Sequence, residues 1–385
     1  MQDERKRILD MVENGTITTQ EALVLLESLG KQTKSIAPLV KEEPKLEQKL
    51  EGRKFTFDDQ KESQEKQGNP DFIEDLKRDF NVMGERFMHF MQGTVDKLKQ
   101  FDFDMPFGEP VVFKEKIVKE HAQYDDISID IANGKIEIYP AENDVTYADI
   151  SVKSFKNSTE EEARTRFQRE FFLETEGNKL RVYSDMKTTS VQVELYVPKK
   201  AYNQISARLF NGDFIAKQIE ANSIKVKTTN GKVNWDDIRF ETADIETMNG
   251  AVQIQHVVGN SIEVETINGR IYVDGKIKEI EGSSVSGNVI LTTKDKEARK
   301  MEGVAVAGTV ELYVPKDVSL KGEATSQLGR IDVQLADVTQ LNQSEQLLNK
   351  KVGFTKIVDS SIEPLRVYGD AKTGSVVVRY TTEGE

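Results

Sequence analysis

Glycines recur at 212, 231, 250, 269, 287, 308 and 329, separated by 19, 19, 19, 18, 21 and 21 residues. A period near twenty, held this long, marks a stacked repeat in which each unit buries its apolar side against its neighbours. Aligned on each glycine, the second residue after it is Phe214, Val233, Val252, Ile271, Val289, Val310 or Ile331. The fourth is Ala216, Trp235, Ile254, Val273, Leu291, Leu312 or Val333. Seven and five residues before it lie Ile205 and Ala207, Ile224 and Val226, Ala243 and Ile245, and Ile262 and Val264. Polar and apolar residues alternate within each segment, which predicts half-buried strands. Two strands per repeat around one apolar interior predict a mainly β region over 111–385. Its expected form is a single-stack β-helix, or solenoid, of about 19–21 residues per coil.

Asn211, Asn230, Asn249 and Asn268 stand immediately before their glycines; Thr228, Thr247, Thr266 and Ser284 stand three before. In stacked coils these columns predict ladders, each side chain bonded to its copy one rung away. Gly212, Gly231, Gly250, Gly269, Gly287, Gly308 and Gly329 are read as corners, supplying a positive φ without steric cost. Asn-Gly is also the strongest hairpin signal, so a hairpin meander competes. A meander has no reason to hold a nineteen-residue period, and stacking is the reading that accounts for it. On this reading the repeated pair is architectural.

Longer duplications frame the array. "VELYVPK" occurs at 193–199 and 310–316, and "LRVYSDMKTTSVQV" at 180–193 is echoed by "LRVYGDAKTGSVVV" at 365–378. The stretches "STEEEARTRFQREFF" and "SEQLLNKKVGF" that precede the echoes read as short helical or irregular excursions. Such insertions suit the capping of open terminal coils.

Upstream the pattern is helical. Residues 1–30 predict a helical hairpin: Ile8, Leu9, Met11 and Val12 share one face, Asn14-Gly15 ends the first helix, and Thr18 with Glu21 forms a capping box for the second. Leu23 and Leu26, with Ala22, Leu25 and Leu29, give that helix its apolar side. Helices this short are marginal alone, so the face is expected to meet a copy of itself, another protein or the remainder of the sequence. Residues 31–70 are rich in charge and predict a disordered tether. Over 71–105, Phe72, Leu76, Phe80, Met83, Phe87, Met91 and Leu98 predict a long amphipathic helix with an adaptable Phe- and Met-rich face. Six acidic and five basic residues between 71 and 100 leave no basic bias, so packing or self-association is favoured over membrane contact.

"ERKRILDMVENGTITTQEALVLLESLG" resembles the SHOCT-like N-terminal module of the bacterial LiaX/YvlB group. The order of charged helix, Gly-x-Ile-Thr turn and Glu-Ala-Leu-x-Leu-Leu-Glu helix carries the likeness. In that group the hairpin is joined to a β-helical, adhesin-like C-terminal domain. The resemblance implies a role in the cell-envelope stress response, beside membrane proteins of the phage-shock type, and brings no catalytic residue.

Little in the sequence suggests chemistry. The formal net charge of −13 argues against a nucleic-acid partner. The absence of cysteine excludes thiol nucleophiles and disulfides. His89, His121 and His256 are scattered without metal-ligand spacing. "GSSVSGN" at 282–288 misses the nucleophile-elbow spacing. Asp125/Asp126 and Asp236/Asp237 could serve glycoside cleavage or calcium, yet Asp236-Asp237 sits where a corner is required. No cofactor or metal is implied. The N-terminal segment has no signal-peptide core and no stretch reaches membrane-spanning length, so a cytoplasmic location is expected, with association at the membrane left open and the cell surface, by a route without a signal peptide, as the alternative. The expected function is a non-enzymatic interaction protein with a protein partner. A surface adhesin or a carbohydrate-active β-helix protein is the alternative.

Overall fold

The computed structural model describes residues 109–120, 123–155, 159–346 and 349–382. The hairpin with Leu23 and Leu26, the tether, and the helix with Phe80, Met83, Phe87 and Met91 lie outside the described residues, as do His89 and His121.

The described region is mainly β. It runs through β1 (Val111–Lys119), β2 (Asp126–Pro140), β3 (Thr146–Ser154), helix α1 (Glu160–Glu170), β4 (Phe171–Glu176), β5 (Lys179–Ser184) and β6 (Thr189–Val197). A long run of parallel strands follows, from β7 (Ala201–Asn211) to β16 (Val310–Val314). The last strands are β17 (Leu320–Ser326), β18 (Ile331–Gln334), β19 (Thr339–Gln346), β20 (Asn349–Lys356), β21 (Leu365–Ala371) and β22 (Val376–Tyr380).

Consecutive repeats pair in parallel and in register. Val226 lies beside Ile245 and Ile245 beside Val264, while Phe214, Val233, Val252 and Ile271 form a second column. Both columns are buried in one interior. Each such aliphatic residue removed from water contributes roughly 1.5–3 kcal/mol. Neighbouring rungs compensate in volume: Trp235, wholly buried, stacks on Ala216, and Phe240 lies under Gly259. A Cβ on Gly259 would collide with the Phe240 ring.

At the ends, stacking order departs from sequence order. β2 slots between the coil of β5 and β6 and the coil that begins with β7: Ile129 pairs with Val182 on one side and Ala207 on the other. At the opposite end β21 and β22 slot between the coil of β15 (Lys300–Ala307) and β16 and the coil of β17 and β18, so that Val376 pairs with both Val310 and Ile331. Gly308 is therefore followed by Gly374, and only then by Gly329. The expected step from Gly308 to Gly329 is a distance along the sequence, not a rung. Ile331 and Val333 are only partly buried because their coil is the last.

Antiparallel strands close both ends. β3 pairs with β6 and β1 with β3, while β4 pairs with β5. Thr159 caps α1 by accepting from the Glu162 amide at 3.3 Å, and Phe167 of α1 meets Phe113 edge-on and stacks on Phe171. The second excursion is not helical: β19 and β20 form a hairpin laid antiparallel on β17. Covering the outer strands in this way satisfies backbone groups that would otherwise template further pairing.

Candidate functional site

The expected corner residues converge on one seam. Asn230 donates through Nδ2 to Asn211 Oδ1 at 2.8 Å, Asn249 to Asn230 at 2.9 Å, and Asn268 to Asn249 at 2.8 Å. The hydroxyl column behaves differently from expectation. Thr228 donates to the Gly212 carbonyl, Thr247 to Gly231, Thr266 to Gly250 and Ser284 to Gly269, at 3.1–3.4 Å. These hydroxyls are buried and point across to the glycine of the previous coil, which satisfies a carbonyl that the corner leaves unpaired.

The reason for glycine also needs correcting. Of the seven expected corner glycines, only Gly287 has a positive φ, at 152°. The others are required by space. A Cβ on Gly231, Gly250 or Gly269 would overlap the carbonyl oxygen of the glycine one coil below. The same holds from Gly212, which lies on Gly134, to Gly329, which lies on Gly374. Gly134 and Gly374 escaped the periodic reading, although Gly134 is preceded by Asn133 and followed at +2 and +4 by buried Ile136 and Ile138. That local signature was readable; its distance from the nineteen-residue register hid it.

The left-handed backbone lies at the other corner. Gln218, Asp237 and His256, one coil apart, have φ of 55°, 56° and 54°. Asp236 and Asp237 take different neighbours: Asp236 Oδ1 lies 2.8 Å from His256 Nδ1, while Asp237 lines a cleft of about 350 Å³ with Lys199, Glu220 and Arg239. Lys200, also in that cleft, bonds Asp125 at 2.8 Å, and this hydrogen bond holds the Asp125 carboxyl below its usual range. Tyr202 forms a wall; burial, then the neighbouring Tyr124, pushes its phenol far up. Among the described residues, no group of three or more His, Asp and Glu side chains is placed to hold a metal ion. No helix among them is long and apolar enough to cross a membrane.

The outward strand faces carry the remaining polar chemistry. Near the first coils, Lys116 lies over the Tyr147 ring, Tyr147 stacks on Tyr196 at 4.5 Å, and Tyr139 tilts against Tyr196 at 5.5 Å. Their faces are thus occupied by one another. Each local Glu-x-Tyr also pairs internally: Tyr139 with Glu137, Tyr196 with Glu194, and Tyr313 with Glu311, the last two within the duplicated "VELYVPK". Burial, reinforced by Glu137, raises the Tyr139 phenol. Farther along, carboxylates stack in register: Asp244 beside Glu263 beside Glu281, and Glu246 beside Glu265. Lysines flank this acidic field, Lys225 and Lys227 on one side and Lys300, bridging Glu281 and Glu302 at 2.8 and 3.0 Å, on the other.

These features define a mainly β protein of parallel, in-register coils held by a glycine seam. The Toastrack DUF4097 family model matches residues 124–359, and a SHOCT-like domain model matches residues 3–34. The chain is 34% identical over 385 residues to the uncharacterized protein YvlB of Bacillus subtilis (strain 168), covering 99% of this chain and 100% of the relative. The chain belongs to the YvlB family, with a toastrack domain joined to a SHOCT-like domain. Among solved structures, a candidate adhesin from Bacteroides fragilis is similar at 9% identity and a TM-score of 0.34, over 71% of this chain and 100% of that one. A candidate lipid-binding protein from Parabacteroides distasonis is similar at 14% identity and a TM-score of 0.38, over 72% and 98%. The family match ends before β21 and β22, yet that coil lies inside the stack.

Proposed function

We propose that the protein is a non-enzymatic interaction and regulatory protein of the bacterial cell-envelope stress response. Its β stack presents a recognition surface for a protein partner or envelope component, a membrane protein of the phage-shock type being the class that family resemblance suggests. Action in the cytoplasm, at or near the membrane, follows from the same reading. The observation that carries the proposal is the acidic field of Asp244, Glu246, Glu263, Glu265, Glu279 and Glu281 on adjoining coils. Rungs of a sheet lie about 4.8 Å apart, so like charges in register repel. The sign alternates only at the edges, where Lys225, Lys227, Arg299 and Lys300 pair with the outer carboxylates, and between them acidic residues stay side by side. A rigid, regular acidic face complements a cationic surface and speeds encounter with it.

The test is in-cell cross-linking of the full-length protein under envelope stress, comparing the natural sequence with Glu263→Lys/Glu281→Lys. The expected outcome is loss of the adduct to a phage-shock-type membrane protein, with the melting temperature of the purified variant kept. An unchanged adduct would remove the acidic face from the recognition surface.

A further inference from the structure

The Asn-Gly pairs of the seam are also the dipeptides most prone to spontaneous covalent change. With no Cβ on the next residue, the glycine backbone nitrogen can reach Cγ of the asparagine. The nitrogen loses its proton, a new N–Cγ bond forms, and the Cγ–Nδ2 bond breaks with release of ammonia, leaving a cyclic imide. Water then opens one of its two carbonyls. The product is aspartate or its isoaspartyl isomer, in which the backbone runs through the former side chain.

The stack opposes this reaction, but not equally at every rung. Attack requires the glycine nitrogen to turn toward its own asparagine. In the seam, the Gly212, Gly231, Gly250 and Gly269 amides instead donate to the carbonyls of Asn230, Asn249, Asn268 and Ser286 in the next coil, at 2.8, 3.0, 3.0 and 3.0 Å. Attack also requires the asparagine amide to swing free. Asn230 and Asn249 are held at both ends, each donating through Nδ2 and accepting at Oδ1. Asn268 is held at one end only. The next coil offers Ser286 where another asparagine would stand, and Asn268 Oδ1 receives no hydrogen bond among the described residues. At the other end Asn211 accepts from Asn230 and is half-buried, whereas Asn268 is exposed.

We propose that the asparagine ladder protects a modification-prone column, and that Asn268, at its open end, is the rung of that ladder that deamidates first. The consequence is structural. An isoaspartyl residue lengthens the backbone beside Gly269, where even a Cβ would overlap the Gly250 carbonyl. The coil beyond it then loses register, so chemical ageing has a defined starting rung.

Peptide mapping by mass spectrometry, with enzymatic methylation to detect isoaspartate, follows each pair in the purified full-length protein at mildly alkaline pH. Asn268 is expected to convert several-fold faster than Asn230 and Asn249, and unfolding in urea should bring all four ladder pairs to similar, faster rates. Asn268→Ala removes the donor to Asn249 Oδ1 and makes Asn249 the open rung, so its conversion should rise several-fold. Ser286→Asn adds a rung and should slow Asn268. Thermal melts establish that each variant stays folded at the incubation temperature, and the natural sequence alone carries the first comparison. Equal rates at the four pairs in the folded protein would overturn the proposal. So would an Asn249 rate indifferent to Asn268→Ala in a folded variant.

Discussion

Each coil turns two corners, and the protein builds them in opposite ways. Apart from Gly134 and Gly287, the seam corner uses glycine at backbone angles open to other residues, because the carbonyl of the coil below occupies the place of a Cβ. The facing corner uses Gln218, Asp237 and His256 at left-handed angles that glycine would adopt more readily. Space selects the residue at the first; at the second there is room for a larger residue, and torsion is strained instead. A glycine column therefore need not signal positive φ, and positive φ need not be filled by glycine.

Substitutions at the two corners should move stability in opposite directions. The largest effect is expected from Gly250→Ala. The added methyl meets backbone, not a flexible group, so the loss should reach or exceed the roughly 1–3 kcal/mol typical of overpacking. A melting temperature unchanged by this variant would show that the coils have slack and that the steric account is wrong. Thr247→Val keeps the volume but removes the buried hydroxyl that donates to Gly231, and should cost about 1–2 kcal/mol in denaturant melts. If it is neutral, the glycine carbonyl finds another donor. Asn249→Ala breaks two exposed ladder bonds and should cost roughly 1 kcal/mol, less than Thr247→Val because water can replace the lost partners. The smallest change has the reverse sign. Gln218→Gly relieves a left-handed strain of about 1–2 kcal/mol against a glycine entropy penalty of about 0.5–1 kcal/mol, so it should stabilise by between about 0 and 1.5 kcal/mol. Destabilisation by Gln218→Gly would mean that the glutamine contributes more at that corner than its torsion costs.

Part of this design was legible before folding was considered. The glycine spacing placed the coils from 201 to 314, and there the residues at +2 and +4 are the ones that line the interior. The asparagine column read as a ladder because identical side chains at one rung height can pair in only a few ways. The hydroxyl column misled for the same reason. Sequence periodicity shows which residues share a column; it does not show that Thr247 reaches sideways to Gly231 in preference to Thr228.

Near the ends the sequence offered less. "LRVYGDAKTGSVVV" carries a strand pattern, but nothing local says that it enters between the coils of Val310 and Ile331. The acidic column, by contrast, was legible, because Asp244, Glu263 and Glu281 each stand six residues before a seam glycine. Their spacing of 19 and 18 residues is that of the glycines, and stacking in register sets their like charges side by side.

By itself the sequence determined the period, the inward-facing residues and the need for a small residue at one corner, since alternation and spacing are properties of a single segment. The tertiary structure alone decided the order of the end coils, the partner of each seam hydroxyl and the reason for each glycine. Those depend on which backbone lies one rung away, and in a parallel stack that neighbour is fixed by three-dimensional closure, not by sequence distance.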